Sequence, residues 1–449
     1  MIKRIILSIP FLFLVELILG GPGFWKITEA ITVRKILFIF SFIILYSYAF
    51  IRGRWRITIF DFGLLIFIFA NILIWIFWIP IIHNTELSWA FGDGGSIFML
   101  LLYFPLVALM RTANINWGIV RVIFVVLAFI VALIHVAIWA VVYILPDFGT
   151  TMGMIAKIFF CAEDYRGIYI GYMPDGYYRV MWISSLYLIP ALFIALQLVR
   201  RNQLYFIVIF FILFAIIFTY TRSFWLGVAI GFLSLSMIPL VRLANSCCVG
   251  RISFSGPSIA FSSFFILMGV ILLFWNYDPI APIFSRFFSL FAGDEGVQIR
   301  LNQSQALMET WSNYPLFGTG FGGVAKHLIR SESAAFSYEM FLPMLLMKIG
   351  LCGIFLWAVT VFNLFFNAWR IAKMTKGSHW LRYWLASWLA FIIPCMTNPY
   401  LFNFVGMSIV LFLLLEMEWQ KLAKLAEKQK LHECTNIPLD ASQQPAISL

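Results

Sequence analysis

The chain has 449 residues, of which 63% are hydrophobic and 11% charged, and its mean hydropathy is +0.95. That composition excludes a string of soluble domains and points to an all-α polytopic membrane protein. The formal charge of +11 reads as a topological signal and not as a nucleic-acid footprint, because the basic residues sort to one side of the apolar runs.

About twelve runs are long enough, or nearly so, to cross a hydrocarbon core of ~30 Å. They lie near 4–20, 34–51, 57–80, 94–110, 118–145, 179–199, 204–220, 222–241, 259–275, 338–369, 381–398 and 401–419. The first lacks a small-residue cleavage site and is followed by further spans, so it reads as a helix and not as a signal peptide. Lys3, Arg4, Arg52, Arg54, Arg56, Arg111, Arg121, Arg200, Arg201, Arg242, Arg251, Arg370, Lys373, Lys376, Arg382 and the tail from Lys421 to Lys430 then fall on one face. The positive-inside rule makes that face cytoplasmic, with both termini inside. The organisation expected is membrane helices over 1–203 with an outer loop at 147–178, a second membrane unit over 204–419 with a large outer loop at 276–336, and a tail over 420–449 that is helical and then disordered.

The outer face receives Glu86, Asp93 and the two loops. Arg166, Arg179, Arg222, Arg286 and Arg300 also fall there, against the charge bias, which makes them candidates for binding anions. Five tyrosines, Tyr165, Tyr169, Tyr172, Tyr177 and Tyr178, crowd the first loop. Their rings suit either stacking on sugars or an interfacial belt. Arg222 sits in Thr219-Tyr220-Thr221-Arg222-Ser223, a hairpin between two apolar runs that is too short for an ordinary loop.

In the second loop Asp294 and Glu295 mark a helix start. That helix runs to about Tyr314, and Pro315 stops it. The turn Pro315-Leu316-Phe317-Gly318-Thr319-Gly320-Phe321-Gly322-Gly323 follows, able to cradle phosphate on its backbone N–H groups or simply to reverse the chain. His83, His135, His327, His379 and His432 show no ligand spacing, and only His327 lies where it could touch a substrate; His135 reads as a satisfied buried histidine. The six cysteines imply neither a disulfide framework nor a metal site. No internal repeat and no paired broken helices at matching positions point to a transporter built from inverted halves.

Three groups should converge at the outer mouth: Arg222 in the hairpin, Arg300 in the loop helix and Glu339 at the start of the tenth span. Guanidinium forks match phosphate oxygens. A carboxylate in a partly desolvated mouth can act as a general base. Together they fit displacement of a diphosphate leaving group by a hydroxyl. Lys348 falls about 14 Å deeper along the same helix and on its far face. It reads as structural, paired with a membrane acid such as Glu16.

The ordered set Thr219-x-Thr221-Arg222, then Arg300 ahead of Trp311-x-x-Tyr314-Pro315-Leu316-x-Gly318-x-Gly320-x-Gly322, then Glu339-Met340-x-Leu342 leading to Lys348-Ile349-Gly350-Leu351-Cys352-Gly353, resembles the O-antigen ligase and polymerase superfamily. The match covers roughly 204–356, with Arg166-Gly167 and Pro174-Asp175 as a weaker echo upstream. The resemblance implies a multi-span glycosyltransferase of the bacterial inner membrane that needs neither metal nor other cofactor. Its donor would be an undecaprenyl-diphosphate-linked glycan and its acceptor a sugar hydroxyl on a glycan or lipid-linked glycan, within membrane lipid and facing the periplasm.

Under that resemblance Arg222 and Arg300 hold the diphosphate and Glu339 is the base. Thr221, Arg166, Arg179, Arg286, His327, Tyr338, Gly318 and Gly320 are the further substrate contacts. Glu339-Met340 stands where ligases of the family carry a His-Asn pair, which favours an O-antigen or surface-polysaccharide polymerase over a ligase. A flippase of lipid-linked glycan is the rival of another class; it would place its ionisable residues at mid-membrane.

Overall fold

The computed structural model describes residues 2–20, 32–112, 115–144, 168–172, 178–199, 202–245, 295–328, 334–374 and 380–435. The expected ninth span, Arg166, Arg286, most of the first outer loop and residues 276–294 and 329–333 of the second lie outside the described residues. Twelve helices are described in chain order: α1 Ile2–Leu19, α2 Val33–Arg52, α3 Ile59–Ile82, α4 Leu87–Met110, α5 Trp117–Ile144, α6 Leu188–Leu198, α7 Tyr205–Phe218, α8 Arg222–Asn245, α9 Glu295–Asn313, α10 Phe341–Met374, α11 Trp380–Thr397 and α12 Phe404–Thr435. Among the described residues α2, α3, α4, α5 and α10 are long and apolar enough to cross a membrane. Phe50, Ile59, Phe355 and Phe362 stand out from these helices, as side chains do when their solvent is lipid.

Local chemistry explains several of the helix ends. Thr58 and Asp61 form a reciprocal capping box at the start of α3, Asp61 N–H to Thr58 Oγ1 at 3.2 Å and Thr58 N–H to Asp61 Oδ2 at 2.9 Å. The same carboxylate takes Tyr103 Oη at 3.0 Å and Arg111 at 3.3 Å. Arg121 pairs with Glu416 at 3.1 Å, and Trp117 Nε1 donates to that carboxylate at 2.9 Å. Arg111 and Arg121, read from the sequence as topological charges, therefore also knit α3, α4, α5 and α12 together at one end of the bundle.

The sixth expected span is shorter than its hydropathy suggests. Its first residues belong to a strand, β2 Tyr178–Trp182, which pairs antiparallel with β1 Ile168–Tyr172 of the preceding loop so that Arg179 pairs with Gly171. A 3₁₀ turn over Ile183–Tyr187 then leads into α6. Arg179 therefore belongs to a strand and not to a helix start. His135 is buried in α5 with Ser185 Oγ 3.4 Å from Nδ1, but its Nε2 has no hydrogen-bond partner among the described residues, so the expected satisfied core histidine is satisfied on one side of the ring only.

Candidate functional site

The glycine-rich turn is built into the bundle. α10 breaks at Gly350, where φ is 61° and ψ −170°, so the helical bonds from Leu351 to Met347 and from Cys352 to Lys348 cannot form. The turn replaces them. Thr319 and Gly320 donate to the Met347 and Lys348 carbonyls at 2.8 and 2.9 Å, while Leu351 and Cys352 donate to the Pro315 and Leu316 carbonyls at 2.9 Å each. Broken helices survive in lipid only when neighbours re-satisfy the backbone in this way.

Gly318 donates to Tyr314, Phe321 to Trp75, Gly322 to Asp93 Oδ2 and Gly323 to Gly320. Every N–H from Gly318 to Gly323 is therefore spent on protein, which favours chain reversal over phosphate cradling and removes the reason for expecting Gly318 and Gly320 to contact substrate. A Cβ at Gly318, where φ is +71°, would sit 2.5 Å from the Met347 and Lys348 carbonyls, whereas one at Gly95 would meet nothing within 4 Å. Gly318→Ala is accordingly expected to destabilise the protein by at least ~2 kcal/mol, with Gly95→Ala within ~0.5 kcal/mol of wild type. Thermal unfolding in detergent measures both.

Lys348 is fully buried, and its ammonium lies 2.6 Å from Asp93 Oδ2 and 2.9 Å from the Phe336 carbonyl. Its partner is thus not Glu16, which pairs instead with Arg34 at 2.7 Å. Asp93 looked like an outer-loop acid, but α4 starts seven residues earlier than its hydropathy suggests and buries it.

The loop after the turn is anchored next. Tyr338 is buried, and its hydroxyl accepts from Ala325 N–H at 2.6 Å and lies 3.4 Å from the Leu328 carbonyl. It sits ahead of α10, and burial raises its phenol to about 12, the Ala325 N–H acting in the opposite sense. This neutral clamp holds the loop closed, so Tyr338 is not placed as the substrate contact expected of it. One face of α9 grips the same loop. Thr310 Oγ1 accepts from Lys326 N–H at 2.9 Å, and the buried Gln303 accepts from the backbone N–H groups of both Glu339 and Met340, at 2.8 and 3.1 Å.

One turn away on α9, Arg300 Nε lies 3.1 Å from Glu339 Oε2, with side-chain exposures of 42% and 22%. Of the three groups expected to converge, Arg300 and Glu339 therefore meet, while Arg222 stands at the first residue of α8. Gln303 is a residue the sequence reading missed, although its place three residues after Arg300 puts it on the same helix face.

A second cluster surrounds the α7–α8 hairpin. Tyr220 adopts a left-handed φ of 50° while buried, a conformation that costs a bulky residue about 1–2 kcal/mol. Trp225 Nε1 donates to the Ile216 and Ile217 carbonyls at 3.1 Å, and Thr219 Oγ1 to Ile216 at 2.8 Å. These bonds satisfy the end of α7 and put Arg222 at the first residue of α8. Arg179 reaches across from β2, its Nη2 3.4 Å from Thr221 Oγ1 and 3.5 Å from the Met181 sulfur.

Tyr400, in a short turn between α11 and α12, packs against this second cluster. Its ring meets Phe224 edge-on at 6.2 Å. Its phenol is raised first by burial, then lowered by the Arg179 charge and raised by Cys395 and Glu339. His327 is exposed, at φ 60°, and among the described residues no hydrogen bond ties it to either cluster.

An apolar cavity of about 190 Å³ lies beside Phe341 and Leu401, the neighbours of this mouth in sequence, and extends past Phe60, Leu364 and Leu414 into the bundle. The part-exposed ion pair and the second arginine on a threonine can each bind an anionic group, and the apolar slot lies beside Phe341, two residues after Glu339. Neither a family model nor a curated protein matches the sequence.

Proposed function

We propose that this protein is a glycosyltransferase of the bacterial inner membrane that moves a glycan from undecaprenyl diphosphate to a sugar hydroxyl on a second glycan, as a polymerase of O-antigen or another surface polysaccharide. The observation that carries the proposal is the Arg300–Glu339 pair at 3.1 Å, part-exposed and held in place by Gln303. The resemblance of 204–356 supplies the substrate class, and the apolar slot suits an isoprenoid chain. On this reading the chain spans the membrane about twelve times, with both termini cytoplasmic and the mouth facing the periplasm.

The acceptor oxygen attacks the anomeric carbon and gives its proton to the Glu339 carboxylate. The bond from that carbon to the diphosphate oxygen breaks, its electron pair leaves with the diphosphate, and the configuration inverts. Arg222 and Arg300 stabilise the charge that develops on the leaving oxygens. In the free protein Glu339 is occupied by Arg300; a bound diphosphate competes for that guanidinium and releases the carboxylate to act as base.

The Glu339-Met340 pair in place of His-Asn supports a polymerase over a ligase. A flippase would want an open polar path at mid-membrane, whereas the break in α10 is filled by the glycine turn. Purified protein in lipid nanodiscs, given lipid-diphosphate-linked repeat units and no membrane gradient, is expected to produce longer chains. Unchanged substrate under those conditions would exclude the transferase reading.

A further inference from the structure

Tyr400 is 8% exposed, and the only hydrogen-bond partner of its hydroxyl among the described residues is the Met181 sulfur at 3.9 Å. A thioether is a weak acceptor, and buried phenols ordinarily find an oxygen. The residue is nonetheless held firmly. Its N–H donates to the Asn398 carbonyl at 2.7 Å. Its own carbonyl leaves no room at Gly406, where a Cβ would lie 1.9 Å away.

Two residues on, Phe402 is enclosed by the rings of Phe321, Phe341 and Trp357 at 5.2, 5.8 and 5.5 Å, and its carbonyl accepts from Ser96 Oγ at 2.8 Å. With the backbone fixed on both sides and the ring against Phe224, the hydroxyl has little freedom to search for a better acceptor. The same Met181 sulfur also receives Arg179 Nη2 at 3.5 Å. One neutral and one cationic donor therefore share a weak acceptor beside Thr221, next to the first residue of α8. Two such donors suit a single anionic oxygen centre.

We propose that Tyr400 and Arg179 together bind one phosphoryl group of the diphosphate, the phenol donating its O–H to a non-bridging oxygen while the guanidinium supplies the charge. This rests on the reading of the mouth as a diphosphate site and adds a binding residue from the α11–α12 turn. The phenol leaves the sulfur for the stronger acceptor when the ligand arrives, and its hydroxyl then faces oxygens that gain charge as the glycosidic bond breaks.

Tyr400→Phe removes only the hydroxyl. In the purified full-length protein its affinity for inorganic pyrophosphate, measured by titration calorimetry, is expected to fall about tenfold with thermal unfolding unchanged. Met181→Leu removes the sulfur, keeps the phenol and is expected to bind pyrophosphate as wild type does. Equal affinity in wild type and Tyr400→Phe overturns the proposal, as does absence of pyrophosphate binding by the wild type or a matching loss in Met181→Leu. Transfer is read separately on the lipid-linked donor. Tyr400-dependent pyrophosphate binding without transfer would remove the glycosyltransferase reading and leave the phosphoryl site standing.

Discussion

Glu339→Gln is expected to reduce glycan transfer by about 10²–10⁴-fold, the range over which a positioned general base contributes, while the protein still inserts and folds. The separation of chemistry from stability follows from where the pair sits. Arg300 and Glu339 keep 42% and 22% of their side-chain surface, and a pair that open to solvent is worth only about 0.2–1 kcal/mol. The amide oxygen can still accept from Arg300, so the loop keeps its place, and Gln303 holds the 339–340 backbone whichever side chain follows.

What the variant lacks, under the proposed mechanism, is a group able to take the proton of the acceptor hydroxyl. Donor affinity should hold or rise, because the diphosphate no longer has a charged rival for Arg300. Single-turnover transfer with a lipid-diphosphate-linked donor, alongside donor binding, separates the two effects. Wild-type product lengths and rates from Glu339→Gln would eliminate Glu339 as the base and leave the arginines as an anion site with no assigned chemistry.

The membrane class was legible in composition because lipid imposes one coarse demand on every span. Side chains facing it must be apolar, and a hydropathy window reads that demand directly. The meeting of Arg300 with Glu339 was legible too, since charges set against the topological bias need a reason to be there. The interior of the bundle was not. Its order depends on backbone groups that hydropathy ignores, so hydropathy predicts continuous helix through the break at Gly350, although the bonds lost there are returned by a turn some thirty residues upstream.

Asp93 was placed in solvent for the same reason. Gly92, Gly94 and Gly95 make its segment look like a loop, yet Gly94 and Gly92 face Phe321 and Phe336, where small residues allow close packing. Tyr400 was hidden by a different limit. A Pro-Tyr turn between two spans carries no pattern, and only the packing of Phe402 and Gly406 shows how rigidly it is held.

Breaking the Lys348–Asp93 pair should have the largest effect on stability. Both groups are buried, at 2.6 Å, and each carries a second bond, Lys348 to the Phe336 carbonyl and Asp93 from the Gly322 N–H. Lys348→Met strands a carboxylate in the bundle and is expected to cost ~3–5 kcal/mol, as removal of one partner from a buried pair does. The double variant Asp93→Leu, Lys348→Met removes both charges, and its stability should recover beyond that of Lys348→Met alone, because two well-packed apolar side chains often replace such a pair without net loss.

Transfer activity should not recover with it. The Phe336 carbonyl still lacks its donor three residues before Glu339, and Gly322 still lacks its acceptor, so the loop that presents Glu339 is no longer tied to the break in α10. A double-mutant cycle on unfolding and on transfer measures the two couplings separately. Single losses that simply add in the double variant would show that the two charges do not support one another. Recovery of transfer together with stability would show that the pair holds the bundle together and plays no part in placing Glu339.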